Sequence, residues 1–163
     1  MRKLFIFLST LFTLTSCGGI SNNTTYDYKD FTNITSEQIF NLPENSYAIY
    51  FYSLSCNVCE SIKSDVFEFS NNVINKEDTR VENIYFLEAT ISNLLAIPYY
   101  FEITQGQDQS VENYKTLCIG ASSLTEMSYY GYPTLFILSN NNENKKIISS
   151  IYLGRNEILN FIR

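Results

Sequence analysis

The sequence contains no histidine and no tryptophan. Without histidine, the chain has no Ser–His or Cys–His pair for nucleophilic catalysis and no imidazole ligand for a metal ion. Covalent chemistry therefore has to come from other side chains, and the chemistry that we expect needs neither a metal nor an organic cofactor. The aromatic residues are 13 tyrosines and 12 phenylalanines, so these two types have to supply any aromatic core or binding surface.

Basic residues are also scarce, because 11 Lys and Arg stand against 17 Asp and Glu, which gives a formal net charge of -6. An acidic chain without a basic stripe argues against nucleic acid as a partner. The hydrophobic fraction of 45% is sufficient for a packed core, and 163 residues correspond to one domain with a short extension.

The amino terminus has the pattern of a targeting segment. Two basic residues precede an apolar run over residues 4–12, which has signal-peptide length and is shorter than the roughly 20 apolar residues of a membrane-spanning helix. The following Leu14-Thr15-Ser16-Cys17 resembles the lipobox of bacterial lipoproteins. The resemblance implies that residues 1–16 are removed and that Cys17 is lipidated, which anchors the protein on the extracytoplasmic face of the cell membrane. The alternative is an ordinary secretory signal with an incidental cysteine.

Residues 17–30 are rich in Gly, Ser, Asn and Thr and have no apolar period. This composition predicts a flexible tether that starts at the lipidated Cys17, followed by one folded domain over residues 31–163. Because an extracytoplasmic compartment permits disulfides, the remaining cysteines can be redox-active or structural.

Hydrophobic patterns predict alternating strands and helices in the folded part. A short helix is expected near residues 36–40, strands over 47–53, 81–88, 134–138 and 146–153, and helices over 57–75 and 154–163. The helix at 57–75 is supported by an apolar stripe formed by Val58, Ile62, Val66, Phe69 and Val73.

Two distant motifs carry the chemistry. Cys56-Asn57-Val58-Cys59 lies where the first strand gives way to a helix, and a C-x-x-C at such a junction is the geometry of reversible disulfide exchange. A helix amino terminus lowers the pKa of a thiol from about 8.5 to roughly 3.5–7.5. The second motif, Gly131-Tyr132-Pro133-Thr134, places a proline directly before a strand. Together the two motifs resemble the thioredoxin superfamily, including protein disulfide isomerase domains.

This resemblance implies an α/β fold with a central four-stranded mixed sheet flanked by helices. It implies a cis peptide bond before Pro133, substrate binding at Tyr132 and Pro133, attack by Cys56 and resolution by Cys59. The partners would be cysteine-containing exported proteins and an upstream redox protein. The stretch from about 91 to 128 is much longer than the corresponding connection in thioredoxin, so we expect an inserted subdomain or an elongated helix there.

The sequence departs from the thioredoxin pattern near the first motif. The acidic residue that the family usually has six positions before the first cysteine is Tyr50 here, and Ser55 replaces the preceding aromatic residue. Four alternatives stay open. The first two are that the C-x-x-C is half of a zinc knuckle, or that it forms a structural disulfide in a binding module. The third is that Pro133 follows a trans peptide bond and simply opens an edge strand. The fourth is that the tyrosines around 99–100 and 129–132 belong to core packing rather than to a rim that binds unfolded chains. Cys118 is expected to be a buried apolar residue.

Overall fold

The computed structural model describes residues 26–106 and 108–163. The targeting segment and Cys17 lie outside the described residues. Tyr28 lies in a short 3-10 helix, Tyr28–Asp30, and is 5% exposed. Its ring stacks on that of Tyr52 with 3.9 Å between centroids. The packed part of the chain therefore includes Tyr28, which the sequence analysis assigned to the tether, because its ring packs on Tyr52 in the core.

Four strands form one mixed sheet: β1 (Ser46–Tyr52), β2 (Asn83–Glu88), β3 (Thr134–Asn140) and β4 (Lys146–Leu153). Their order is β2-β1-β3-β4, with β1 parallel to β2 and the other two pairs antiparallel. This topology confirms the predicted thioredoxin-like fold. Strand β1 is central and is covered on both faces, which explains its continuous apolar sequence.

Six helices complete the described structure: α1 (Asn57–Ser61), α2 (Lys63–Ile74), α3 (Ile91–Ala96), α4 (Tyr100–Ile103), α5 (Val111–Cys118) and α6 (Gly154–Ile162). The prediction of a single helix over 57–75 was wrong, because the helix is interrupted at Ile62, which has φ -118° and ψ 5°. The Ser61 hydroxyl donates to the Val58 carbonyl at 2.8 Å, and such local bonds compete with the helical hydrogen bonds.

The sheet separates two apolar cores. Helices α1, α2 and α6 cover one face, where Tyr50 and Cys59 belong to the buried cluster. The inserted segment covers the other face with α3, α4 and α5, so it is a set of short helices rather than one elongated helix. In the part of the chain that the structure describes, none of these helices has the length and apolar character needed to cross a bilayer.

Candidate functional site

A disulfide joins Cys56 and Cys59, whose Cα atoms are 5.2 Å apart. It lies just beyond the carboxyl end of β1, where the Cys56 N–H donates to the Ser53 carbonyl at 3.1 Å and closes a tight turn. Cys56 is the N-cap of α1, and the Cys59 N–H points at the Cys56 sulfur at 3.0 Å. A backbone N–H directed at sulfur stabilises a thiolate there once the disulfide is reduced.

The two sulfurs differ in access. Cys56 is half-buried, whereas Cys59 is 1% exposed and belongs to the core beneath α1. A partner therefore reaches Cys56 first, and Cys59 is accessible only to Cys56. Because α1 has five residues, the named N–H contact rather than a long helix dipole is the local source of positive potential.

The second motif lies against the first, although the two are 76 residues apart in sequence. The carbonyl oxygen of Tyr132 is 3.7 Å from the Cys56 sulfur. The Tyr132–Pro133 peptide bond is cis, the isomer that the resemblance implies. Pro133 is buried, and its carbonyl accepts the Gly154 N–H at 2.9 Å. Tyr132 itself is 41% exposed beside the sulfur.

The loop that carries Tyr132 has a free backbone donor. Among the described residues, no oxygen accepts a hydrogen bond from the Tyr132 N–H. A side-chain hydrogen bond stabilises the loop, since the Thr134 hydroxyl donates to the Gly131 carbonyl at 2.7 Å. An extended peptide can pair with such a fixed backbone edge as an added strand.

Tyr50 occupies the position that usually carries an acid in thioredoxins. It is fully buried on the same face as Cys59, and burial raises its pKa above the usual value because the phenolate is poorly solvated there. Tyr50 thus stays protonated at neutral pH and offers no carboxylate to accept a proton from Cys59. Glu60, directly after Cys59, lies 3.7 Å from Lys63 at the surface.

Three apolar or aromatic side chains flank Cys56 at the surface. Leu54 is 70% exposed and Val58 is 43% exposed, on either side of Cys56, and Tyr132 completes the group. The apolar spacing predicted Val58 on the stripe of one long helix, which was wrong: Val58 is exposed and lies in the separate short helix α1. The apolar spacing does not reveal the break at Ile62, so the spacing alone did not indicate that Val58 is exposed.

Cys118 lies in the core on the opposite face of the sheet, is 1% exposed and forms no disulfide. Its sulfur is 3.3 Å from the Ser128 hydroxyl oxygen. In the described residues, no three His, Cys, Asp or Glu side chains converge as a metal site would require. The structure therefore brings together Cys56, Cys59, Tyr132 and Pro133, and it leaves Cys118 apart from them.

No protein-family model matches the chain, and no curated protein matches its sequence. Among solved structures, it is similar to thioredoxin f2 of Chlamydomonas reinhardtii, with 13% identity, a TM-score of 0.38 and coverage of 76% of this chain and 83% of that one. It is also similar to thioredoxin of Plasmodium falciparum, with 16% identity, a TM-score of 0.37 and coverage of 74% of this chain and 70% of that one. A third similar structure is the first thioredoxin domain of mouse protein disulfide-isomerase A4, with 15% identity, a TM-score of 0.37 and coverage of 73% of this chain and 61% of that one.

Proposed function

We propose that the protein is a thiol-disulfide oxidoreductase that acts on cysteine-containing exported proteins. The observation that carries the proposal is the pairing of an accessible Cys56 with a buried Cys59 directly beside the Tyr132 backbone. Reversible exchange needs one sulfur that a partner can reach, one that only the first can reach, and a surface that aligns the partner.

The exchange proceeds through a mixed disulfide in either direction. In the reduced protein, the Cys56 thiolate attacks a substrate disulfide, forms a bond to one substrate sulfur and releases the other as a thiolate, which takes a proton from water. Cys59 then gives its proton to water and attacks the Cys56 sulfur, which releases the second substrate thiolate. The protein loses two electrons and the substrate gains two.

The reverse direction starts from the disulfide form. A substrate thiolate attacks the accessible Cys56 sulfur and releases Cys59 as a thiolate. A second substrate thiolate then attacks the first substrate sulfur, releases Cys56 and leaves the substrate oxidised. Since Tyr50 supplies no carboxylate, protons at Cys59 exchange with water or with the substrate thiol.

The assignment of the two cysteines is tested by trapping. Reduced Cys59→Ser protein should accumulate mixed disulfides with a peptide that carries a disulfide, because nothing remains to resolve the bond at Cys56. Cys56→Ser should accumulate none, and the matched Cys118→Ser variant should turn over at nearly the wild-type rate. Non-reducing electrophoresis with mass spectrometry identifies the sulfur involved. Trapping through Cys59 in the Cys56→Ser protein would reverse the assignment.

The competing function is that of a binding module in which the disulfide is structural. The half-buried and exposed tyrosines beside the site give this alternative its support. A reduction potential separates the two, because structural disulfides typically lie below about -300 mV and catalytic pairs lie above. A value below that limit, together with no trapping by either single variant, would favour the binding module.

We further propose that the domain acts at the extracytoplasmic face of the membrane, held by a lipid on Cys17, and that a second redox protein resets its disulfide. The support is the Leu14-Thr15-Ser16-Cys17 motif after an apolar run and the compatibility of that compartment with disulfides.

A further inference from the structure

Three tyrosines form a continuous surface that begins at the disulfide, and we call them the tyrosine surface: Tyr99, Tyr129 and Tyr132. Tyr132 and Tyr129 both rest edge-on against the buried Phe51, with centroid distances of 6.1 Å and 5.7 Å. Tyr99 stacks on Tyr129 at 4.9 Å and 29°. The surface thus extends from Tyr132, whose backbone carbonyl lies 3.7 Å from the Cys56 sulfur, onto the inserted segment.

The inserted segment is held to this surface by backbone hydrogen bonds. The Tyr100 N–H donates to the Tyr129 carbonyl at 2.9 Å, and the Tyr129 N–H donates to the Pro98 carbonyl at 3.0 Å, so that Tyr99 and Tyr129 pair as a short parallel bridge. Because the backbone is paired on both sides, the two rings are positioned before any partner arrives. Such preorganisation lowers the entropy cost of binding.

The hydroxyl groups of this surface are available to a partner. Six tyrosine hydroxyls elsewhere form hydrogen bonds within the protein: Tyr47, Tyr52, Tyr85, Tyr100, Tyr114 and Tyr130. Within residues 26–106 and 108–163, the hydroxyls of the tyrosine surface form none, although Tyr99 and Tyr129 are only half-buried and Tyr132 is exposed. Tyrosines with planar faces and free polar tips are typical of peptide-binding surfaces.

The charge beside the surface is negative. The Glu102 N–H donates to the Tyr99 carbonyl at 3.0 Å, which holds this acidic residue next to the surface. Burial raises the pKa of Tyr129, and the carboxylate of Glu102 raises it further. Glu102 is exposed and forms no ion pair with another described residue. An ammonium or guanidinium group can contact both this carboxylate and a tyrosine face, so the surface is complementary to a basic side chain.

We propose that the tyrosine surface, with Glu102 at its edge, binds an extended segment of a partner protein in which apolar and basic side chains lie next to the reacting cysteine. The proposal deepens the proposed function, because it names what that site recognises in its substrate. The Tyr132 backbone lies beside the Cys56 sulfur, and the Tyr132 ring packs on the same Phe51 as Tyr129. A segment whose cysteine meets Cys56 therefore has its neighbouring side chains next to Tyr129 and Tyr99.

The experiment uses a probe that cannot exchange disulfides. A fluorescent peptide with leucine and lysine residues around a serine, which stands in place of the reacting cysteine, is titrated with the full chain in its disulfide form. Tyr99→Ala should weaken binding about tenfold, the size expected when an aromatic anchor is lost. Glu102→Lys should weaken binding of this peptide several-fold and should strengthen binding of a second peptide with glutamate in place of lysine.

Matched controls lie on other parts of the molecule. Tyr152 stacks on Phe161 at 4.5 Å and 28°, much as Tyr99 stacks on Tyr129, and Glu143 is an exposed acid in the turn between β3 and β4. Tyr152→Ala and Glu143→Lys should leave the affinity within about twofold of wild type. If Tyr99→Ala does not fold, Glu102→Lys with the two peptides still tests the charge preference, because that residue is exposed.

Two results would overturn the proposal: affinity that neither Tyr99→Ala nor Glu102→Lys changes, or equal affinity for the basic and acidic peptides. Self-association of the chain that Tyr99→Ala abolishes would assign the surface to a second copy instead. Because the probe lacks a cysteine, its binding does not depend on disulfide exchange. If the protein binds the peptide but shows no exchange activity, only the proposed function is refuted. Exchange activity with no effect of the surface variants on binding would refute only the tyrosine surface.

Discussion

Strand β1 carries two fully buried tyrosines, Tyr47 and Tyr50, which point to opposite faces of the sheet and differ by one hydrogen bond. The Tyr47 hydroxyl donates to the Ile39 carbonyl. The Tyr50 hydroxyl is buried and has no well-formed hydrogen bond among the described residues; the Tyr28 hydroxyl, which also has none, is near it. A buried polar group without a partner loses its hydration and gains nothing in return, so the two hydroxyls should act on stability with opposite signs.

The residue-scale prediction compares two substitutions that each remove one oxygen. Tyr47→Phe should lower the free energy of unfolding by about 1 kcal/mol, because it leaves the Ile39 carbonyl unpaired. Tyr50→Phe should leave that free energy unchanged or raise it by up to about 1 kcal/mol, because it removes an unpaired buried hydroxyl. Urea unfolding of the two variants measures both values. Equal losses would show that Tyr50 has a hydrogen-bond partner in solution.

At the scale of elements, the inserted segment is tied to the terminal helix α6 by one ion pair. Lys115 of α5 lies 2.9 Å and 2.8 Å from the two carboxylate oxygens of Glu157. The same carboxylate accepts the Leu153 N–H at 2.8 Å, just before α6 begins. Burial alone would raise the pKa of Glu157, but the bonds from Lys115 and Leu153 outweigh burial and hold this pKa below its usual value of 4.5.

This depressed pKa predicts how the stability contribution of Glu157 depends on pH. A carboxyl whose pKa is lower in the folded state contributes stability above its unfolded-state pKa and loses that contribution as the pH falls through the folded-state value. Glu157→Gln should therefore lower the free energy of unfolding by about 1 kcal/mol at pH 7, and the difference should shrink below about pH 4. Glu143→Gln, in an exposed turn, is the control. A difference that is constant from pH 7 to pH 3 would contradict this account.

At the scale of the whole molecule, the acidic charge and the proposed anchor act together. A chain with a net charge of -6 gains no electrostatic attraction to anionic lipid headgroups, so membrane residence has to depend on acyl chains. Cys17→Ser should therefore abolish labelling by a fatty-acid probe and leave residues 1–16 attached. Cys118→Ser should be labelled like wild type. Persistent labelling of the Cys17→Ser protein would exclude lipidation at this cysteine.

Local patterns in the sequence determined most of the fold and the reactive pair. Strand β4 and helix α6 begin where the pattern predicted, and helix α6 buries Ile158, Leu159 and Ile162. The C-x-x-C and the Gly131-Tyr132-Pro133-Thr134 motif indicated where the site would be, because strand-to-helix junctions and proline-started strands have signatures within a few residues.

Only the tertiary structure decided which distant residues meet. The approach of the Tyr132 carbonyl to the Cys56 sulfur, at 3.7 Å, joins residues that are 76 positions apart in the chain. The pairing of Tyr99 with Tyr129 depends on how the inserted segment folds back across the sheet. The missing partner of the Tyr50 hydroxyl depends on every neighbour in the core at once. These contacts join residues far apart in the chain, and no local periodicity encodes them, because their energy comes from packing and desolvation.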